Sequence, residues 1–166
     1  MKKLLLILNI LIIACPSLSW ASCNKWDVIN ADKAWQDAVG TNIAANVVAL
    51  YATNAVLLPT FGVQIIDNQT DRLAYFAKLF KEIDDLEVFY TGNRHIQFID
   101  GGAVSSGDYV FTGTVAYDGE DVYSPARYTF NYKQVKHEDD IEGCHLQLIT
   151  HHSSEQPFGK ITQLLQ

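Results

Sequence analysis

Residues 126–132 read ARYTFNY, and the alternation in that run decides how the rest of the chain is read. Successive side chains of an extended strand point to opposite faces. Arg127, Thr129 and Asn131 therefore share one side, and Tyr128, Phe130 and Tyr132 the other. The same period of two runs through residues 86–99 (LEVFYTGNRHIQFI), 103–117 (AVSSGDYVFTGTVAY), 123–135 (YSPARYTFNYKQV) and 144–154 (CHLQLITHHSS). IDGG at 99–102 and AYDGED at 116–121 separate them as hairpin turns, with Asp-Gly suited to a tight reversal. Four strands in succession make an antiparallel meander.

Upstream, the period changes to that of a helix. Residues 24–41 (NKWDVINADKAWQDAVGT) carry Trp26, Ile29, Trp35, Ala38 and Val39 at helical spacing and stop at Gly40. A second helix restarts at Asn42, with Ile43, Val47, Leu50 and Tyr51 on one side. AVLLPTFGVQII (55–66), broken by Pro59 and Gly62, reads as short strands. A third helix follows in NQTDRLAYFAKLFKEI (68–83), capped by Asn68 or Thr70, with Leu73, Phe76, Leu79, Phe80 and Ile83 as its stripe. Helices first and a meander afterwards give one α+β domain over 22–166, with helices on one face of a curved sheet.

The first residues bear on compartment. Lys2 and Lys3, the apolar run LLLILNILIIA and CPSLSWAS have the form of a secretory signal peptide cut after Ala21. The run is too short for a permanent span, which takes about 20 apolar residues. A cut before Cys15, leaving a lipid anchor, is the rival, and Pro16 argues against it. The expected address is the periplasm or the cell exterior. Cys23 and Cys144 are then the only cysteines left, and in an oxidising compartment they are expected to bond. The formal net charge of −7, more negative once Lys2 and Lys3 are removed, repels phosphate backbones and anionic membranes. Nucleic acid and stable membrane insertion are thereby disfavoured, and no cofactor motif is present.

Strand parity also settles what His151 and His152 can do together. As neighbours on a regular strand they face apart and share no metal ion. A two-residue turn at Asp118-Gly119 sets Asp108 opposite Thr129 and Val110 opposite Arg127, and the next pairing brings His151 to Thr129 and Ser153 to Arg127. Asp108, Thr129 and His151 then form one row, and Val110, Arg127 and Ser153 the next. Pattern alone, however, puts Tyr109, Phe111, Tyr128, Phe130 and Tyr132 against the helices and leaves Arg127 in water. The acidic cluster from His137 to His145 matches neither a calcium loop nor a zinc motif, and reads as a solvated hairpin.

ALYATNAVLLPT (49–60), GDYVFTG (107–113), ARYTFNY (126–132) and HHSSEQP (151–157), in this order and spacing, resemble bacterial members of the nuclear transport factor 2-like superfamily. Within it they are similar to those grouped with the association domain of calcium/calmodulin-dependent protein kinase II, over about residues 26–157. The resemblance implies a cone: a bent sheet wrapped on three helices, with a pocket at the open end. It implies that the polar rows line that pocket, while Tyr109, Phe111, Tyr128, Phe130 and Tyr132 face a partner subunit in a homodimer or larger homo-oligomer. By position, Val110, Thr129 and Ser153 resemble sheet sites where the association domain carries pocket arginines, and Arg72 resembles a pocket histidine. This chain lacks those arginines and offers Arg127 and Arg72, which suit a small ligand bearing a carboxylate or carbonyl. No kinase is implied. The resemblance also opens a second possibility, an acid–base enzyme of the ketosteroid isomerase, polyketide cyclase or dehydratase kind. Its base would be Asp108 or His151 and its donor Tyr51. Fold alone does not decide between them.

Overall fold

The computed structural model describes residues 23–137 and 140–156, apart from the side chains of 136–137 and 140–142. The leader with Cys15 and the cut after Ala21, the centre of the acidic loop and Pro157 lie outside the described residues. Helix α1 spans Lys25–Gly40. Asn24 caps it by accepting from the Trp26 amide at 2.8 Å, while Asp27 accepts from the Asn24 amide at 2.7 Å. Cys23, one residue earlier, is bonded to Cys144. The buried stripe of α1 is Val28, Asp32, Trp35, Ala38 and Val39, displaced from the expected one. Trp26 is 70% exposed, and a carboxylate sits mid-stripe.

The second helix is shorter than its alanine-rich sequence suggests. Helix α2 covers only Ala44–Val48, and strand β1 begins at Tyr51 and runs to Leu58. The Leu148 amide donates to the Leu50 carbonyl at 3.0 Å, and Tyr51 pairs with Leu148. Joining the sheet overrides local helix propensity here. Helix α3, Gln69–Glu82, is capped by Asn68, which accepts from the Asp71 amide at 2.9 Å. Phe76 and Leu79 are buried, whereas Leu73 is 43% exposed and Arg72 takes a buried place instead.

Strands β2 (Ile83–Ile99), β3 (Gly102–Val115), β4 (Asp121–His137) and β5 (Asp140–Glu155) complete a five-stranded sheet in the order β1-β5-β4-β3-β2. β1 joins it parallel to β5, and the other pairs are antiparallel. The helices cover the inner face. Tyr109, Phe111, Tyr128, Phe130 and Tyr132 all lie in the core around Trp35. They form a ladder of rings in which Tyr109 and Tyr128 stack at 5.2 Å. The expected partner-facing role of these five residues is therefore corrected. Their bulk is what the helices bury, and Arg127 on the opposite parity is exposed.

Two of the sheet's register shifts decide where the polar groups fall. In β2 the pairing shifts between Thr91 and His95, around Gly92 at φ +69°. In β5 it shifts between Tyr132↔Leu148 and Asn131↔Thr150, so Ile149 is an extra residue. A regular strand, with Ile149 taking its place in the pairing, would set Thr129 opposite His151, as parity alone suggests. With Ile149 extra, Thr129 pairs with His152 and Phe130 with His151. One residue moves His151 and Ser153 to the aromatic face. The β3–β4 turn is also longer than two residues, so Asp108 pairs with Arg127 and Val110 with Pro125.

Candidate functional site

Three polar groupings arise from this arrangement. The first lies inside the cone. His151 is 3% exposed, and its ring meets Trp35 edge-on at 5.0 Å and Phe130 at 4.6 Å. Trp35 Nε1 donates to the Tyr51 hydroxyl at 3.0 Å. That hydroxyl directs its own hydrogen to His151 Nδ1 at 2.6 Å. The network so assigns Nδ1 as acceptor and leaves the proton on Nε2, which points at the Tyr109 hydroxyl 3.4 Å away. Tyr109 donates to Ser153 Oγ at 2.5 Å, and Ser153 meets Thr60. The chain of hydrogen bonds ends at the 59–66 segment, which folds back through the Leu57–Ile66 bridge and sets Phe61 against Phe111 at 5.1 Å. The space left among these residues is about 10 Å³, at most a single water. The conical pocket expected from the resemblance is thus filled by side chains.

Burial pushes His151 down from 6.5 to about 3, with a smaller contribution from His152. Burial likewise holds the hydroxyls of Tyr51 and Tyr109 above their ordinary range. Unfolded, His151 takes up a proton near pH 6.5; folded, it resists until about 3. Its contribution is whole above the first value and is lost as pH falls toward the second. Wild-type protein should lose on the order of 1 kcal/mol more per pH unit between pH 6 and 4 than His151→Gln. Urea midpoints across that range check this, and parallel slopes would refute it.

The second grouping surrounds Asp32, fully buried on α1. Its Oδ2 accepts from Ser105 at 2.7 Å and forms an ion pair with Arg94, whose Nε lies 2.9 Å away, and its Oδ1 accepts from Tyr132 at 2.8 Å. Tyr90 donates to its backbone carbonyl at 2.9 Å. Burial raises the Asp32 carboxyl, opposed by the hydrogen bonds of Ser105 and Tyr132 and by the Arg94 charge. Arg94 comes from the β2 bulge, packs over the Tyr90 ring and also reaches the Tyr128 hydroxyl. Sequence reasoning missed both residues. The available signal was Asp32 itself, four residues after Val28 and three before Trp35 on the buried stripe.

Arg72, expected to reach an open pocket, is a clamp. It donates to the carbonyls of Ala52, Thr53 and Ala55 in the irregular part of β1. Only its Nε lacks a partner.

The third grouping is on the outer face. Two rows cross the strands there: His95, Ser106, Thr129 and His152, then Thr91, Asp108, Arg127 and Ser154. Over the β2 bulge they border an open depression of about 570 Å³, lined by Gly92, His95, Ser106, Asp108, Arg127 and Thr129 among others. Val110, in the following row, is buried between Phe89 and Pro125. The expected rows are therefore split. Asp108, Arg127 and Thr129 stay together outside, while His151, Ser153 and Tyr51 meet inside.

No family model matches the chain, and no curated protein matches it. Among solved structures, a Xanthomonas campestris protein provisionally named a calcium/calmodulin-dependent protein kinase II association domain superposes with a TM-score of 0.70 and 28% identity, covering 84% of this chain and 92% of that one. The chain has the nuclear transport factor 2-like fold. A provisional dehydratase of the nuclear transport factor 2-like family from Streptomyces avermitilis matches at TM-score 0.67 and 14% identity, over 80% of this chain and 96% of that one. A provisional aromatic ring hydroxylase from Novosphingobium aromaticivorans matches at 0.68 and 17%, over 85% and 98%. Nuclear transport factor 2-like neighbours thus include both enzyme-named and association-domain proteins. No described helix is long and apolar enough to cross a membrane, and the described residues hold no cluster fit for a metal ion.

Proposed function

We propose that this nuclear transport factor 2-like chain is a non-catalytic small-molecule-binding module of the association-domain kind, secreted or periplasmic, whose ligand sits on the outer sheet face. The observation that carries this reading is the contrast between the two faces. Inside, both nitrogens of His151 are engaged and about 10 Å³ remains. Outside, no hydrogen bond or ion pair engages the side chains of Arg127, His95, Ser106 or Thr129 among the described residues, and they border about 570 Å³ of open space. A carboxylate or carbonyl suits Arg127 and the two hydroxyls.

The acid–base alternative is less well supported. A general base works best with a pKa near the working pH, and His151 is held at about 3. Asp108 lies on the open face, where Gln156 Nε2 donates to it at 3.0 Å. The Cys23–Cys144 bond suits an oxidising compartment, and with the sequence of the leader it supports export. For self-association, Phe89 and Tyr123 are the large exposed aromatics of the outer face, a surface open to a second copy now that the tyrosine row is internal.

Ligand-dependent thermal shift of the mature chain, against metabolites bearing carboxylates or carbonyls, tests the assignment. Arg127→Ala should weaken the response at least 10-fold, and His151→Gln should leave it in place. The reverse pattern would return the site to the cone.

A further inference from the structure

We infer that the outer depression recognises a small zwitterion of the α-amino acid class, an inference that rests on the outer-face binding reading above. Asp108 and Arg127 are directly paired across β3 and β4, so their side chains leave the same face about 5 Å apart. They nevertheless form no ion pair. Asp108 is held through Oδ1 by Gln156, and the Arg127 guanidinium is exposed without a partner among the described residues. Adjacent opposite charges left unjoined form a two-pole receptor. A ligand whose carboxylate and ammonium are separated by one carbon can face Arg127 with the first and Asp108 with the second.

The same pair discriminates. A simple carboxylate meets Arg127 but is repelled by Asp108, and a simple amine suffers the reverse, so each half of the ligand fares worse alone. Beyond the charged pair, Ser106 and Thr129 face each other one row along, with His95 beside Ser106. These groups donate and accept hydrogen bonds, which fits a polar amino-acid side chain laid along the bulge. Gly92 contributes no side chain at the rim, and a Cβ there would lie 3.7 Å from Asp108 Oδ2, so that oxygen remains approachable.

Calorimetric titration of the mature chain with each common L-amino acid provides the test. Any binder is then compared with its deaminated carboxylate and its decarboxylated amine. The expected result is at least one amino acid binding below millimolar, with both halves at least 10-fold weaker. Asp108→Asn should weaken the amino acid at least 10-fold and leave the deaminated carboxylate unchanged or tighter, and Arg127→Ala should abolish both. If no amino acid binds, or if Asp108→Asn leaves binding intact, the zwitterion inference fails. The outer-face reading survives that failure as long as another carboxylate or carbonyl ligand still depends on Arg127. A bound amino acid indifferent to Arg127→Ala overturns both.

Discussion

Asp32→Ala should destabilise the fold by about 3–5 kcal/mol, the range for removing one partner of a buried ion pair. The loss of the carboxylate strands three donors at once. Ser105 and Tyr132 lose their acceptors inside the core, and Arg94 keeps its charge with only the Tyr128 hydroxyl as a polar contact. Because those donors come from β2, β3 and β4, the carboxylate joins α1 to three strands rather than decorating one helix. Denaturant midpoints should show Asp32→Asn intermediate, since an amide keeps the shape and surrenders the charge. Adding Arg94→Met to Asp32→Ala should recover part of the loss, because the uncompensated cation goes with it. A cost below about 1 kcal/mol, the level of an ordinary surface substitution, would contradict this role.

Removing the Cys23–Cys144 bond is the second large effect. The bond closes a sequence separation of 121 residues, for which loop entropy corresponds to about 3–5 kcal/mol. It also fixes the residue that immediately precedes the Asn24 cap, so its loss frees the start of the helix that carries Asp32 and Trp35. The Cys23→Ser/Cys144→Ser protein should melt about 10 °C lower. Reductant should bring the wild type down to the same temperature and leave the variant unmoved. Equal melting of oxidised and reduced wild type would show that the bond contributes nothing to stability.

Much of this architecture is visible in the primary structure. The meander, an α3 cap at Asn68 or Thr70 and the pairing of the two cysteines follow from periodicity, capping chemistry and the expected compartment, and the cap observed is Asn68. The aromatic face of ARYTFNY, taken on pattern alone, points under the helices, where Tyr128, Phe130 and Tyr132 are found. The resemblance to association domains argued for the other orientation, and on this point the simple hydrophobic pattern was the better guide. Burying five large rings outweighs any positional analogy at three sheet sites. The arrangement of polar groups was harder to foresee. His151 could not be separated from Thr129 without knowing that Ile149 is extra, and nothing local marks a bulge in LQLITHHSS. Local pattern places Tyr51 on a helix because its pairing partner, Leu148, lies almost 100 residues away. The pairing of Asp32 with Arg94 escapes the pattern for a related reason, since a buried charge is intelligible only with its counterion in view.

Because Ile149 stands outside the pairing, the final strand beyond His145 is written in two frames: Leu146 and Leu148 point inward before it, and the odd-numbered His151 and Ser153 after it. Loss of that one isoleucine leaves both frames in phase with β4, so the strand can shorten there without disturbing either half. Deletion of His151, with the bulge kept, would instead draw its twin His152 opposite Phe130 and turn Ser153 to the outer face. Homologous chains are therefore free to differ in length at this joint, and closed to such change on the stretch that follows it.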